Sequence, residues 1–502
     1  MKKIFTSVIA LSIAAITTNA QNSGDLDISF ATDGMYSTDF GFHDNITDVK
    51  VDPSTGKTIA VGTAITPEYA GKLLVMRLNE DGTPDNTFSD DGTVIIEDYN
   101  ESYAYDCHIF SDGSMLVAGA VADDNYVFSM IVLKLQSDGS LDPDFGTDGI
   151  AIPSIGVGDD FAQALAVSAT GNIYLAGKSI NEVYQNVPSI YALDSDGNPL
   201  TSFGTDGLVQ IPVISEDNIF NALAFDGSNR LVACGHYGYP LTVTGQTNFD
   251  ILVARFNIDG SLDETFSTDG VATIAISAEY IEDAFGLAIL DNQIFASGYT
   301  TLPDFSFDAV IVALTNEGTL DASFAEDGIY TYNQNVQDVF LDLHLDQNEK
   351  LVACGTTGGF FFDFREFLLS RVDLTGTLDN SFGTDGIVTT SVGSTYSEAN
   401  TFAFKANGAI IAGGKSNAGG NNDAAFAQYH ASAGVSVSEI SAVTILVYPN
   451  PAKSGASIQL SDKDAQVLSS AHLFALNGAK INLTLSQNHQ VIQLPSLSAG
   501  IY

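Results

Sequence analysis

The residues best suited to chemistry in this chain are acidic, and most of them stand in turns. The segments "LDSDGNPL" (193–200) and "NEDGTPDN" (79–86) share the outline of calcium loops of the type D-x-[DN]-x-[DN]-G. Asp194 and Asp196 have the right opening step, but Gly197 comes early and no Glu closes the loop. Turn chemistry is therefore the expected role, with weak Ca²⁺ binding as the functional alternative and no other cofactor. A second set is Asp48, Asp106, Gln163 and Asn221, at the heads of the strings "DVKV", "DCHI", "QALAV" and "NALAF". As equivalent strand positions they would line a central channel or meet solvent at its mouth. Tyr237 and Tyr239 fall in a longer loop (236–250), an insertion that either lets one unit depart from its neighbours and bind a ligand or is neutral drift. Histidines 43, 108, 236, 344, 430, 472 and 489 follow no metal-ligand spacing. No H-E-x-x-H, G-x-x-x-x-G-K-[ST], G-x-S-x-G or zinc-type Cys pair occurs, so neither a catalytic residue nor a metal site is assigned.

What would position these groups is a repeat. "LDPDFGTDGI" (141–150) has close copies centred on Phe30, Phe88, Phe203, Phe266, Phe324 and Phe382, mostly 57 or 58 residues apart with one interval of 63. Between copies lie strand-length apolar runs, such as "AQALAVSA" (162–169), "IYLAG" (173–177) and "SIYALDSDG" (189–197), broken by Gly, Asp and Asn. No unit carries helical periodicity. The fold class is all-β, and seven four-stranded units predict a seven-bladed β-propeller. An open solenoid would need polar caps, and none is written. The N-terminal "NSGDLDISF" (22–30) and the late "ASAG" (431–434) read as two halves of one junction, so the ring is expected to close there. In the motif the Asp satisfies local amides, Gly supplies a positive φ, and the Phe plugs an apolar site between units. A scaffold role is expected of it over a shared binding role.

Composition narrows the partners. Lys and Arg number 18 against 62 Asp and Glu, a formal charge of −44, which repels nucleic acid and anionic lipid. Lys2 and Lys3, a short apolar run (4–16) and "TTNA" (17–20) describe a signal peptide cut after Ala20, too short for a membrane span. The three cysteines cannot form a disulfide framework. Cys234 and Cys354 share the string "LVACG", matching Val61, Ala118, Ala176, Ser297 and Gly413 in a column that wants a small buried side chain.

Over 26–434 the pattern L-D-x-x-F-G-x-D-G-I, with its "A-L-A-V" and "I-x-L-A-G" strands, resembles the delta-60 repeat of bacterial surface and secreted proteins, which implies a β-propeller and no general catalytic motif. The tail "ILVYPNPAKSGASIQL" (445–460), "LFALNGAKI" (473–481) and "VIQLPSLSAGIY" (491–502) resembles the C-terminal sorting domain of the type IX secretion system. That resemblance implies a small β-sandwich read by the export machinery, with Tyr448, Pro449, Asn450 and Pro451 as its opening and Gly500 in its late "GIY". The family continues with a further strand, so the sandwich is expected to be truncated or the signal impaired. The domains are then a signal peptide (1–20), the propeller (21–434), a linker (435–444) and the sorting domain (445–502). The expected function is an exported surface scaffold binding glycan or protein, with a secreted hydrolase or lyase using channel acids as the alternative and a purely structural surface-layer role as a third.

Overall fold

In the computed structural model the described residues are 22–430, apart from short loop segments, together with five short strands between 457 and 493. The chain divides into two compact units, 21–434 and the two ends of the chain. In the smaller unit, Ser457–Gln459, Val491–Gln493 and Thr484–Leu485 form one sheet, and His472–Phe474 pairs with Lys480–Asn482. The leader, the linker and the sorting residues Tyr448, Pro449, Asn450, Pro451 and Gly500 lie outside the described residues.

The larger unit is a seven-bladed β-propeller. Five sheets have four antiparallel strands each, and a further eight-stranded sheet is two such blades joined by the single parallel bridge Phe307–Gln337. The innermost strands of blades 1 to 7 are His43–Val51, Ser102–Ile109, Phe161–Val167, Asn218–Phe225, Glu282–Leu290, Gln337–Leu345 and Tyr396–Phe404. In blade 1 the second, third and outer strands are Thr58–Ile65, Gly71–Leu78 and Thr93–Ile96. Sequence repeat and blade are offset by one strand. The run that follows each motif completes the preceding blade, as Ile150–Ala151 does for blade 2. This offset closes the ring, because Met35–Thr38 pairs with Asn422–Tyr429 as the outer strand of blade 7.

Second and third strands are apolar on both faces, since each blade is covered by two neighbours; Met115–Ala122 is buried throughout. All seven motif phenylalanines are at most 1% exposed. Each seats its ring at the hairpin turn of the next blade, where a Cβ on Gly82 (φ +81°) would stand 2.8 Å from the Phe30 ring. The residue after each Phe donates its N–H to that same turn. Ala31 reaches Asp81, Ser89 reaches Asp138, Gly146 reaches Asp196, and so on to Ala325 with Thr375, all at 2.7–2.9 Å. At the seventh junction Gly383 donates to Ser23 at 2.7 Å, so the N-terminal segment stands in for the turn.

Charge reinforces four of these junctions, one of them through a lysine, Lys134, 3.0 Å from Asp142. Asp85 takes Arg77 at 2.6 Å and Lys57 at 2.7 Å, while the Arg77 guanidinium lies 4.7 Å over the Phe88 ring. Asp263 with Arg255 and Arg230, and Asp379 with Arg371 and Lys350, repeat the arrangement. Where the motif has Leu200 in place of Asp, the arginine position is Ala192, so neither charge is left alone. The three cysteines are buried and free.

Phe145→Ala should lower the free energy of unfolding by about 3–5 kcal/mol in urea titration, because its cavity sits between two blades. Ile28→Ala, at a side chain 68% exposed, should change it by less than about 0.5 kcal/mol.

Candidate functional site

Each inner strand is bulged at its centre, with one residue inserted against its partner strand. The inserted residues are Thr47, Tyr105, Gln163, Asn221, Phe285, Leu341 and Asn400. All seven line a central cavity of about 520 Å³. The next position along each strand holds Asp48, Asp106, Ala164, Ala222, Gly286, Asp342 and Thr401 in turn.

This register corrects one reading of the sequence. Asp48, Asp106, Gln163 and Asn221 do meet in the channel, but Asp48 and Asp106 stand one position beyond Gln163 and Asn221. The bulge adds a residue that matching strand by strand cannot see. Counted correctly, the column contains a third acid, Asp342, which the sequence reading missed along with Lys50, His108, His344 and Thr401. The pairing of each acid with the small-residue column (Val61, Ala118 and Cys354) was the available signal.

Blades 6, 7, 1 and 2 are consecutive, so these groups form one charged arc facing a wall of Ala164, Ala222 and Gly286. Within the arc Lys50 lies 2.7 Å from Asp48 and 3.5 Å from Asp106, and His344 lies 3.2 Å from Asp342. The acids also cross the gaps between blades. Asp48 accepts the Cys107 N–H at 3.1 Å, Asp106 the Leu165 N–H at 2.6 Å, and Asp342 the Phe402 N–H at 3.2 Å. The Thr401 hydroxyl accepts from Val49 at 3.3 Å in the same way. Inserted residues cross the same gaps by donation: Thr47 to the Ala104 carbonyl at 2.8 Å, Asn221 to Ala284 at 2.9 Å and Asn400 to Ile46 at 2.6 Å. The bulge frees backbone groups, and side chains of the preceding blade satisfy them. Gln163 has no such bond among those described.

Burial disfavours ionised Asp48, but Lys50 and the surrounding hydrogen bonds outweigh it and hold the carboxyl below its usual range. For Asp106, burial and then the Asp48 charge outweigh Lys50 and push it up to about 7. His344 is raised because Asp342 beside it overcomes burial, and His108 is lowered by burial and by Lys50. The remaining expected residues lie outside this cavity and make local hydrogen bonds. Tyr237 donates to the Pro212 carbonyl at 3.3 Å, and Tyr239 to Asp250 at 3.1 Å. Residues 241–246 of that loop lie outside the described residues. The Asp194 carboxylate accepts the N–H groups of Asp196 and Asn198 in its own turn.

A second feature lies at the hairpin tips joining second to third strands. Tyr69, Tyr126, Tyr184 and Phe305 are 61–77% exposed, and all four have φ between 61° and 65°. Each closes the same turn, as Tyr126 does on the Asp123 carbonyl at 3.0 Å. The same hydrogen-bonded turn at the opposite end of the blades carries Gly113, Gly171 and Gly408 at this position in three blades, and Asn229 and Glu349 in two others. A left-handed backbone costs a bulky residue about 1–2 kcal/mol, and these rings recover little of it by burial.

Comparison with known proteins adds two families. A profile described as a "beta-propeller" domain of unknown function (DUF5122) matches residues 54–88, 111–145 and 229–266. One described as a "Secretion system C-terminal sorting domain" matches residues 446–502. The chain is thus a propeller carrying a type IX secretion tail, which makes it a secreted or surface protein that engages that machinery. No curated protein matches it. Among solved structures it is similar to a polysaccharide lyase, a PL25 ulvan lyase (10% identity, 79% of this chain and 96% of that one, TM-score 0.44). Others are an α-L-arabinofuranosidase from Fusarium graminearum (13%, 65% and 92%, 0.39) and the NanB sialidase from Streptococcus pneumoniae (9%, 81% and 71%, 0.38). Among the described residues no helix is long and apolar enough to cross a membrane, and no group of three His, Cys, Asp or Glu could hold a metal.

Asp106 sets a pH dependence. The folded state keeps its proton to about pH 7, whereas the unfolded chain releases it near pH 4, so folding is favoured on the acid side and the contribution declines from about pH 4 to 7. Asp44, raised to about 6 chiefly by burial, acts in the same direction. The urea midpoint should therefore be higher at pH 4.5 than at pH 8, and Asp106→Asn should shrink that difference.

Proposed function

We propose that this chain is an exported propeller of seven delta-60 repeats that holds a neutral polysaccharide at the cell surface through its aromatic hairpin tips. The observation that carries the reading is the recurrence of Tyr69, Tyr126, Tyr184 and Phe305 in a left-handed turn position that glycine would occupy at lower cost. Selection against local stability points to a use for the rings. They stand one to a blade, Tyr69 edge-on against Phe42 at 4.5 Å, and not as the contiguous apolar patch expected of a protein interface. Isolated aromatic faces suit sugar rings, whose apolar face stacks while the hydroxyls stay hydrated. The formal charge of −44 disfavours a polyanionic glycan. Delivery follows from a leader over 1–20 and the sorting domain, so a chain ending before residue 446 should fold but remain in the periplasm on cell fractionation.

The hydrolase or lyase reading has one observation in its favour, the split between a raised Asp106 and a lowered Asp48 in one channel. Against it, the two carboxyls are within hydrogen-bonding reach of each other, closer than an acid and base flanking a glycosidic bond. Both also hold backbone amides across blade gaps, which supports a scaffold role for them.

The test is a double variant, Tyr126→Gly with Tyr184→Gly, in affinity electrophoresis through neutral polysaccharides. Retardation should fall about 10-fold or more while the melting temperature stays equal or rises. Unchanged retardation, retardation only by anionic glycans, or glycan turnover abolished by Asp106→Asn would each contradict the reading.

A further inference from the structure

The inner strands carry a buried polar residue near their start in every blade: Asp44, Ser102, Asp160, Asn218, Glu282, Asp338 and Ser397. Most latch the connection arriving from the previous blade, as Asp44 does by accepting the Phe40 N–H at 2.6 Å. Glu282 performs this latch with one oxygen alone. Its Oε1 accepts the Ser277 N–H at 3.0 Å and the Thr300 hydroxyl at 3.1 Å. Its Oε2 is buried with no hydrogen-bond donor.

On the third strand of blade 4, Asp250 faces Glu282, and Asn248 shares its strand face two residues away. Asn248 is fully buried; its Nδ2 donates to the Tyr239 hydroxyl at 2.7 Å, and its Oδ1 has no partner. The Tyr239 hydroxyl in turn donates to Asp250 at 3.1 Å. Among the described residues no Lys, Arg or His offsets either carboxylate.

We infer that the junction of blades 4 and 5 is a Ca²⁺ site, built from Glu282, Asp250 and the Asn248 amide oxygen with the Tyr239 hydroxyl beside them. Two carboxylates balance a divalent charge. Every donor is oxygen, with no imidazole or thiol to favour zinc or copper. The two orphaned oxygens, Glu282 Oε2 and Asn248 Oδ1, come from different blades and are the atoms a cation would satisfy. An exported protein meets millimolar Ca²⁺, so a weak site suffices to fasten the two blades. This place is separate from the Asp194 turn, whose carboxylate is already occupied by its own backbone.

The rival arrangement is a single proton shared between Glu282 and Asp250. The two are distinguished in the full chain by melting in 5 mM Ca²⁺ against chelator, and by Tb³⁺ luminescence excited through tyrosine. Ca²⁺ should raise the melting temperature by about 3 °C. Glu282→Gln, which keeps a shared hydrogen bond but removes the charge, should abolish the rise. Tyr239→Phe should remove most of the Tb³⁺ emission while leaving the fold intact, which keeps the inference testable if Glu282→Gln fails to fold. Identical melts with Ca²⁺ and chelator, a full rise in Glu282→Gln, or undiminished emission in Tyr239→Phe would overturn it.

Discussion

The molecule depends on one contact made seven times: a buried phenylalanine seated at the hairpin turn of the next blade, with the following N–H bonded to that turn. A four-stranded sheet cannot bury two apolar faces alone, so each blade is stable only between neighbours. The last junction uses the N-terminal segment, where Ser23 takes the place of a turn and Met35–Thr38 the place of an outer strand. Joining the first and last parts of the unit makes the ring one cooperative body and leaves no exposed sheet edge between them.

Inside the ring the same logic appears in polar form. Bulges free backbone groups at the channel, and side chains from the adjacent blade satisfy them. The charge that results is uneven, with Asp342, Asp48, Lys50 and Asp106 on one arc and small side chains opposite. The cluster has the composition of an active site, and its carboxylates also hold backbone amides of the adjacent blades. The tips at the far ends of the hairpins show the reverse relation, because aromatic rings occupy turn positions that their own backbone disfavours and solvent surrounds them.

Much of this was legible in the sequence. The seven phenylalanines, the DG turns and the absence of helical periodicity led to a closed propeller, and the split junction at 22–30 and 431–434 pointed to where it closes. The polar column was found but misaligned by one residue, since a bulge changes register without changing the hydrophobic pattern. Asp342 and His344 were invisible for the same reason. The aromatic tips were missed although Tyr69, Tyr126 and Tyr184 recur at the repeat spacing, because the strings around them share no motif and only the backbone angle sets them apart. Glu282 and Asp250 meet across a blade boundary, a juxtaposition that no local string encodes.

The most direct test of the closed ring is hydrogen exchange on the larger unit with and without residues 22–38. The account predicts that their removal accelerates exchange in the strands of blade 7 and lowers protection around the whole ring. Loss of protection confined to blade 7, with blades 2 to 5 unchanged, would contradict it.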